Sequence, residues 1–356
     1  MSNNKTRICL VIPGLSAGGA ERVMSVLANE FSRNENIEVH LCLYVKPIIF
    51  YELDEKVIIH KLNFEYKKLP RILFTIKILL FLRKKFKKIQ PHSFLSFGGK
   101  FNSFVLLAAY GLGIKGYVSD RSRPGIKYGF IPDIINPFVY RLSHGIIAQT
   151  KSAQEYIAKK IKHPNIVVIP NPVPVSSYSN EQKRNIVLNV GRFITSKQQE
   201  KLINIFMDIN PQNWSLEFVG DGPKLDYCKS LVEHSGFNDK IKFYKNTSDI
   251  GWYYNRSKIF AFASASEGFP NSLAEAMAAG CACISYDCVA GPSDIIDNDI
   301  NGFLIEEGNK ERYKEKLAFL IDRDDVIRKF SKAAIVKMRK FENELICKEY
   351  SKIILA

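Results

Sequence analysis

The chain has 356 residues, 46% of them apolar, and a formal net charge of +15 from 51 Lys and Arg against 36 Asp and Glu. That length exceeds one ordinary domain and suits two, and the composition excludes a low-complexity or solenoid protein. Seven scattered Cys read as reduced thiols, the N-terminal apolar run 8–13 is too short for a signal peptide, and no stretch reaches the roughly 18 apolar residues of a spanning helix. A soluble or peripheral cytoplasmic protein is expected. Its basic excess suits nucleic acid, an anionic membrane surface or phosphorylated substrates.

From the N-terminus, residues 7–12 form an apolar run of strand length. A Gly-rich turn follows at 13–20, and then Val23, Leu27 and Phe31 share one helix face. Strand, Gly loop and helix open a dinucleotide-type unit. The loop is not G-x-G-x-x-G, so a plain NAD site is poorly supported. Strands at 38–44, 57–62, 92–97, 115–119, 145–149 and 166–169 interleave with helices at 70–89, 101–110, 132–142 and 152–161. Such alternation predicts a parallel, doubly wound sheet.

The helix at 70–89 carries Ile72, Leu73, Ile76, Leu79 and Leu80 on one face. Lys67, Lys68, Arg71, Lys77, Arg83, Lys84, Lys85, Lys87 and Lys88 crowd its flanks and far end, with no acid among them. A basic amphipathic helix suits an anionic membrane surface, with Lys77, Arg83, Lys84, Lys87 and Lys88 facing it. The alternative is a crossover helix whose apolar face packs on the sheet and whose Lys face is solvated. Nucleic acid is not expected, because no aromatic platform or reader motif accompanies the charge.

Asp120, Arg121 and Arg123 follow the strand at 115–119. They therefore stand at the carboxyl edge of the sheet, where doubly wound folds bind ligands. Asp120 suits an acceptor hydroxyl and the two Arg suit phosphates; a self-paired Asp–Arg turn is the alternative. His144 precedes a strand and reads as structural. Alternating prolines at 170–175 make a stiff linker, and a domain boundary falls after 172.

The pattern restarts with a strand at 186–190. Arg192 and Lys197 follow it, and two cations at a strand's carboxyl end suit a diphosphate, Arg as a fork and Lys as a point charge. Two solvated cations in a turn are the alternative. A strand at 216–219 ends in the tight turn Gly220-Asp221-Gly222-Pro223. A strand at 240–244, a helix at 249–257 and a strand at 259–263 come next.

Residues 265–280, ASEGFPNSLAEAMAAG, form a loop and a helix, with Pro270 at the first helical position and Gly280 just past the end. The helix start at Phe269, Pro270, Asn271 and Ser272 directs N–H groups and a positive dipole end at an anion. Glu267 lies in the loop and Glu275 more than a turn into the helix. Each suits sugar hydroxyls; an ordinary surface Glu is the alternative. A strand at 282–286, a helix opening at Gly291-Pro292 and helices at 310–321 and 324–356, the second kinked, complete the chain.

The two Glu separated by seven residues in EGFPNSLAEAMAAG resemble the signature of the family 4 retaining glycosyltransferases. GGAER at 18–22, GRFITSKQ at 191–198 and VGDGP at 219–223 are similar to further motifs of that family, in the same order. SDRSR at 119–123 resembles a segment of exopolysaccharide transferases of the amylovoran type. A His carried there by some relatives is missing, which leaves a His-assisted step unsupported.

The resemblance implies an α/β GT-B fold of two Rossmann-like doubly wound domains facing each other across a cleft. Residues 1–172 would bind the acceptor and 173–337 the nucleotide sugar, and 338–356 would cross back as a helix to the first domain. It implies that Glu275 holds the ribose, Glu267 the donor sugar, and Arg192 and Lys197 the diphosphate. Gly18 and Gly19 would lie against the donor, and the base would be read near 245–247. No cofactor and no metal are expected. The implied reaction moves a hexose or N-acetylhexosamine from a UDP-sugar to a polyprenyl-diphosphate-linked saccharide at the inner face of the cell membrane, in capsule, O-antigen or exopolysaccharide synthesis. A transferase acting on a soluble sugar, a nucleotide-sugar 2-epimerase and a non-catalytic basic binding module are the competing readings.

Overall fold

The computed structural model describes residues 5–46, 48–62, 70–174, 182–245, 247 and 249–356. Lys67, Lys68, Val175, Asn246 and the side chain of Arg71 lie outside the described residues. The chain divides into two compact units, Met1–Pro172 with Asn343–Ala356, and Val173–Glu342.

The first unit runs β1 (Thr6–Ile12), α1 (Gly19–Ser32), β2 (Ile37–Leu43), β3 (Ile58–Lys61), α2 (Arg71–Ile89), β4 (Ser93–Phe97), α3 (Asn102–Ala109), β5 (Lys115–Ser119), α4 (Phe130–Val139), β6 (Gly145–Ala148), α5 (Lys151–Lys160) and β7 (Ile166–Val168). The second runs β8 (Arg184–Val190), α6 (Gln199–Ile209), β9 (Ser215–Val219), α7 (Leu225–Glu233), β10 (Ile241–Tyr244), α8 (Ile250–Arg256), β11 (Ser257–Phe262), α9 (Asn271–Ala278), β12 (Ala282–Asp287), α10 (Pro292–Ile295), β13 (Gly302–Glu306), α11 (Lys310–Asp322) and α12 (Asp324–Met338). The chain then returns to the first unit as α13 (Asn343–Ile354).

All strand pairs in both sheets are parallel. The first sheet has the order β3-β2-β1-β4-β5-β6-β7, and the second β10-β9-β8-β11-β12-β13. Each order reverses direction once, between β1 and β4 and between β8 and β11. The central strands are near-continuous apolar runs because helices cover both faces. In the first unit, one face buries Leu10 of β1 against Leu27 and Phe31 of α1 and Tyr350 of α13. The other buries Cys9, Ile78, Phe86 and Val105 beneath α2 and α3.

The structure corrects the reading of α2. The face on the sheet is Phe74, Ile78, Leu82, Phe86 and Ile89, all buried. Ile72, Leu73, Ile76 and Leu80 point outward. The helix is apolar on two faces, so periodicity alone does not say which one packs.

A second correction concerns 324–356. The helix does not kink but stops. A single 3-10 turn at Arg339–Phe341 follows α12, and Glu342 is extended (φ −55°, ψ 145°). The Phe341 carbonyl accepts from the Val173 N–H at 2.7 Å, which holds this exit in the second unit. The return therefore begins at Asn343 rather than at 338.

Candidate functional site

In the second unit the motif residues gather where the strand order reverses. Loops after the two strands at such a point diverge and leave a crevice at the carboxyl edge. The loop after β8 holds Arg192 and Lys197, and the loop after β11 holds Glu267 and leads into α9. A backbone bond from Ala265 N–H to the Ser196 carbonyl (2.8 Å) ties the two loops together. Lys197 Nζ then lies 2.5 Å from Glu267 Oε1, and 5.3 Å from the centre of the Phe262 ring. Both side chains are largely buried, at 21% and 10% exposure.

Arg192 is different. It is exposed, and among the described residues no carboxylate pairs with its guanidinium. Its backbone is fixed instead, because its carbonyl accepts from Ile194 N–H (3.0 Å) and from Gln199 Nε2 (3.1 Å). The loop after β9 presses against this turn. A Cβ on Gly220 would stand 2.0 Å from the Gly191 carbonyl oxygen, and one on Gly222 2.5 Å from that of Phe193. Only glycine permits that approach. Asp221 is an exposed turn residue that accepts from Gly222 N–H at 2.7 Å.

The helix α9 starts at Asn271, so Pro270 is the residue before its first position rather than that position itself. No side chain caps this N-terminus. Phe269 is buried 6.3 Å from Phe341, and Pro270 packs on Gly291, where a Cβ would meet its Cδ at 2.3 Å. Asn271 and Ser272 remain partly exposed in the first turn. Glu275 accepts a hydrogen bond from the Tyr254 hydroxyl at 3.1 Å. Tyr254, on α8, was not foreseen from sequence; a tyrosine inside an apolar helical stretch gives no signal of the carboxylate it meets.

In the first unit, Gly18 and Gly19 follow β1, again at the reversal. Gly18 is clamped by Tyr51, whose hydroxyl accepts from its N–H (3.1 Å) and donates to its carbonyl (2.9 Å). Asp120 and Arg121 do not pair with each other. Asp120 is half-buried and accepts from the Tyr140 hydroxyl at 2.5 Å and Asn102 Nδ2 at 3.4 Å. Burial raises its carboxyl above the ordinary range, against the pull of those two hydrogen bonds.

Arg121 departs from the sequence reading. Its guanidinium lies 4.2 Å from the Phe97 ring centre and donates to the Tyr350 hydroxyl (3.0 Å) and Asn171 Oδ1 (2.5 Å). The side chain thus ties α13 and the end of the first segment to the sheet, and it also lines the pocket that holds Asp120. Arg123 is exposed. It shares a pocket with Asp120, Tyr128, Gln149 and Tyr156. His144 accepts from Gly116 N–H at 3.2 Å, a structural role.

On α2, Lys77, Lys84, Lys87 and Lys88 are exposed, whereas Arg83 donates to the carbonyls of Ala108 (3.1 Å) and Tyr110 (3.0 Å). Arg83 therefore joins α2 to α3 instead of facing outward. Among the described residues no group of three or more His, Cys, Asp and Glu is placed to hold a metal ion. Asp297 and Asp299 have Asp-x-Asp spacing, but Asp297 is held by Lys337 at 2.9 Å and Asp299 lies 3.9 Å from Lys316.

Two family models divide the sequence between them. One, Glycosyltransferase Family 4, matches residues 17–177, and the other, Glycosyl transferases group 1, matches 176–337. The chain belongs to the family 4 glycosyltransferases. It is 26% identical to the amylovoran biosynthesis glycosyltransferase AmsD of Erwinia amylovora, over 98% of this chain and 99% of that protein. It is 25% identical, over 98% of both chains, to an alpha-1,4-N-acetyl-D-galactosaminyltransferase of Campylobacter jejuni named for an acceptor on PP-undecaprenol. Among solved structures, Anabaena HepE in complex with UDP superposes with a TM-score of 0.79 at 15% identity, over 97% of this chain and 98% of that one. This glycosyltransferase therefore has two Rossmann-like units of GT-B type. No helix among its described residues is long and apolar enough to cross a membrane.

Proposed function

We propose that this glycosyltransferase moves a hexose or N-acetylhexosamine from a UDP-sugar, with retention and without a metal, to a hydroxyl of a lipid-diphosphate-linked saccharide in bacterial surface polysaccharide synthesis. The observation that carries the reading is the reversal of strand order between β8 and β11, which brings Arg192, Lys197, Glu267 and the uncapped start of α9 to one edge of the sheet. The relatives named above support the polysaccharide and lipid-linked parts, and the UDP complex of the structural neighbour supports the donor.

The bond from the sugar's anomeric carbon to the diphosphate breaks as the acceptor hydroxyl adds on the same face. The hydroxyl proton leaves with a diphosphate oxygen. Arg192, Lys197 and the α9 N-terminus stabilise the charge that grows on the diphosphate, as preorganised donors do. Glu275, steadied by Tyr254, accepts from the ribose hydroxyls, and Glu267 accepts from the donor sugar. Asp120 lines the acceptor side.

The test is nucleotide release by the purified protein from a panel of UDP- and GDP-sugars, in EDTA, with and without a polyprenyl-diphosphate saccharide. Acceptor-stimulated release from one UDP-sugar, with an α-linked product from an α-linked donor, supports the reading. Acceptor-independent conversion of the donor, or no release by the folded protein, overturns it. Removing one charge-stabilising donor typically costs about 10²–10³ in rate, so Arg192→Ala tests the phosphate role directly: near-normal turnover excludes it.

A further inference from the structure

Beneath the Asp120 pocket lies a chain of buried polar groups. Ser96 of β4 and Asn102 of α3 are fully buried, and Tyr140, in the 3-10 turn Tyr140–Leu142 after α4, is 1% exposed. The direction of each hydrogen bond is set. The Ser119 carbonyl can only accept, so it faces Asn102 Nδ2 (3.1 Å). Asn102 Oδ1 therefore turns to Ser96 and accepts from its hydroxyl (2.8 Å). Asn102 Nδ2 also donates to the Tyr140 hydroxyl (3.1 Å), which leaves that hydroxyl's own proton for Asp120 Oδ1 (2.5 Å). Asn102 Nδ2 itself lies 3.4 Å from the same oxygen.

Every bond thus runs toward one oxygen of one carboxylate. Among the described residues no hydrogen bond reaches Asp120 Oδ2, and the side chain lines the pocket with Arg123, Tyr128, Gln149 and Tyr156. Packing does not account for the chain. Ser103 of α3 already donates to Asn136 of α4 (2.5 Å), and Asn136 to the Gly99 carbonyl (2.8 Å), so the two helices are joined without it. Apolar side chains of the same volume would fill the space with no polar group to desolvate. What a fully satisfied network with one set direction adds is a fixed orientation for the group at its end.

Given the transfer reaction proposed above, on which this role rests, we propose that Asn102 and Tyr140 are positioning residues for acceptor recognition: they hold Asp120 Oδ1, so that Oδ2 alone is presented to a hydroxyl of the acceptor saccharide. A carboxylate free to rotate would offer that hydroxyl either oxygen at no fixed place, and transfer is sensitive to displacements of about 1 Å.

The test is a double-mutant cycle on the full-length protein, with the polyprenyl-diphosphate saccharide as acceptor. Tyr140→Phe keeps the buried ring and removes the hydroxyl. It should raise the acceptor KM about tenfold or more, the worth of a hydrogen bond to a carboxylate, with UDP affinity unchanged. In the Asp120→Asn background the same substitution should add less than about twofold, because Tyr140 acts through that carboxylate. Ser103→Ala is the packing control. It breaks a buried bond between the same two helices that does not reach Asp120, so it should lower Tm and leave the acceptor KM in place.

A further readout needs no acceptor. With isotope-labelled aspartate carboxyls, Tyr140→Phe should move the Asp120 titration upward in the NMR spectrum, since a bond that favours the ionised form is lost. The other groups around that carboxyl, Arg121, Arg123 and Tyr128 on its own loop and Tyr156 on α5, are the same in both proteins. An unchanged acceptor KM in Tyr140→Phe, an equal loss in the Asp120→Asn background, an equal loss in Ser103→Ala, or a titration that stays in place overturns the positioning role. A parent that binds UDP but transfers to no acceptor overturns the reaction instead, and the titration then still decides whether Tyr140 holds Asp120.

Discussion

Lys197 Nζ lies 2.5 Å from Glu267 Oε1, although the two residues are 70 positions apart and arrive on different loops. The pair exists because β8 and β11 are hydrogen-bonded neighbours at the reversal of the sheet. It joins a cation proposed for the diphosphate to a carboxylate proposed for the sugar. Glu267→Gln keeps an acceptor for Lys197 but removes the charge. It should leave Tm within a few degrees and lower kcat by about 10²–10³. Lys197→Met leaves a mostly buried carboxylate without its cation, costing about 1–3 kcal/mol of stability, and should also raise the donor Kd. Thermal melts and UDP titration check both; an unchanged Kd in the Lys197 variant would sink the phosphate role.

Gly220 touches the loop that carries Arg192. An alanine Cβ would stand 2.0 Å from the Gly191 carbonyl oxygen, which belongs to backbone and has no side-chain freedom to yield. Gly220→Ala should therefore push the turn at 191–194 away from β9. The expected cost is about 2 kcal/mol or more, with weaker UDP binding. Gly236→Ala is the control: Gly236 also has positive φ (76°), but nothing lies within 4 Å of its Cβ position. Equal UDP affinity in the two variants, measured by calorimetry, would mean that the contact does not shape the donor site.

What the sequence discloses is local. The parallel alternation, the turn at Gly220 and the helix stop at Gly280 (φ 69°) are legible because glycine and apolar runs act over a few residues. Arg121 is not legible in that way, because its Tyr350 partner is 229 positions away and arrives only when α13 rejoins the first unit. The break at Glu342 carries no Pro or Gly, and a backbone bond to Val173 fixes it from outside the helix. On α2 the ambiguity is physical. Phe74, Ile78 and Leu82 compete with Ile72, Ile76 and Leu80 for the sheet, and the bulkier face is the buried one.

Asp120 gives a pH prediction whose sign follows from burial. Its carboxyl holds a proton more tightly in the folded protein than in the unfolded chain. Its contribution is therefore present at low pH and is lost as pH climbs from the ordinary carboxylate value through the raised one. Asp120→Asn keeps an acceptor for the Tyr140 hydroxyl and removes that loss. Its Tm at neutral pH should equal or exceed that of the parent, with a flatter Tm profile as pH climbs above the ordinary carboxylate range. Transfer to the acceptor should fall while UDP affinity holds. A lower Tm at neutral pH would mean that the ionised carboxylate stabilises the fold.

Arg121 and Arg123, two positions apart, differ in how far the fold holds them. Arg121 sits at φ 62°, stacked on Phe97 and bonded to Tyr350 and Asn171. Arg121→Ala strips a half-buried cation from all three and should cost about 2–4 kcal/mol, loosening α13. Hydrogen exchange should rise across 343–354 and in β4, where Ser93 Oγ donates to the Ile354 carbonyl at 2.5 Å. Arg121→Lys cannot restore a flat stack and a two-pronged bond together, so it should rescue little. Arg123 is exposed beside the Asp120 pocket, and its loss removes no packing. Arg123→Ala should leave the unfolding free energy within about 0.5 kcal/mol of the parent's and raise the acceptor KM, with the donor KM unchanged. If the two variants instead melt alike, the stacking on Phe97 does not hold α13 in place, and the division of labour between these arginines is wrong.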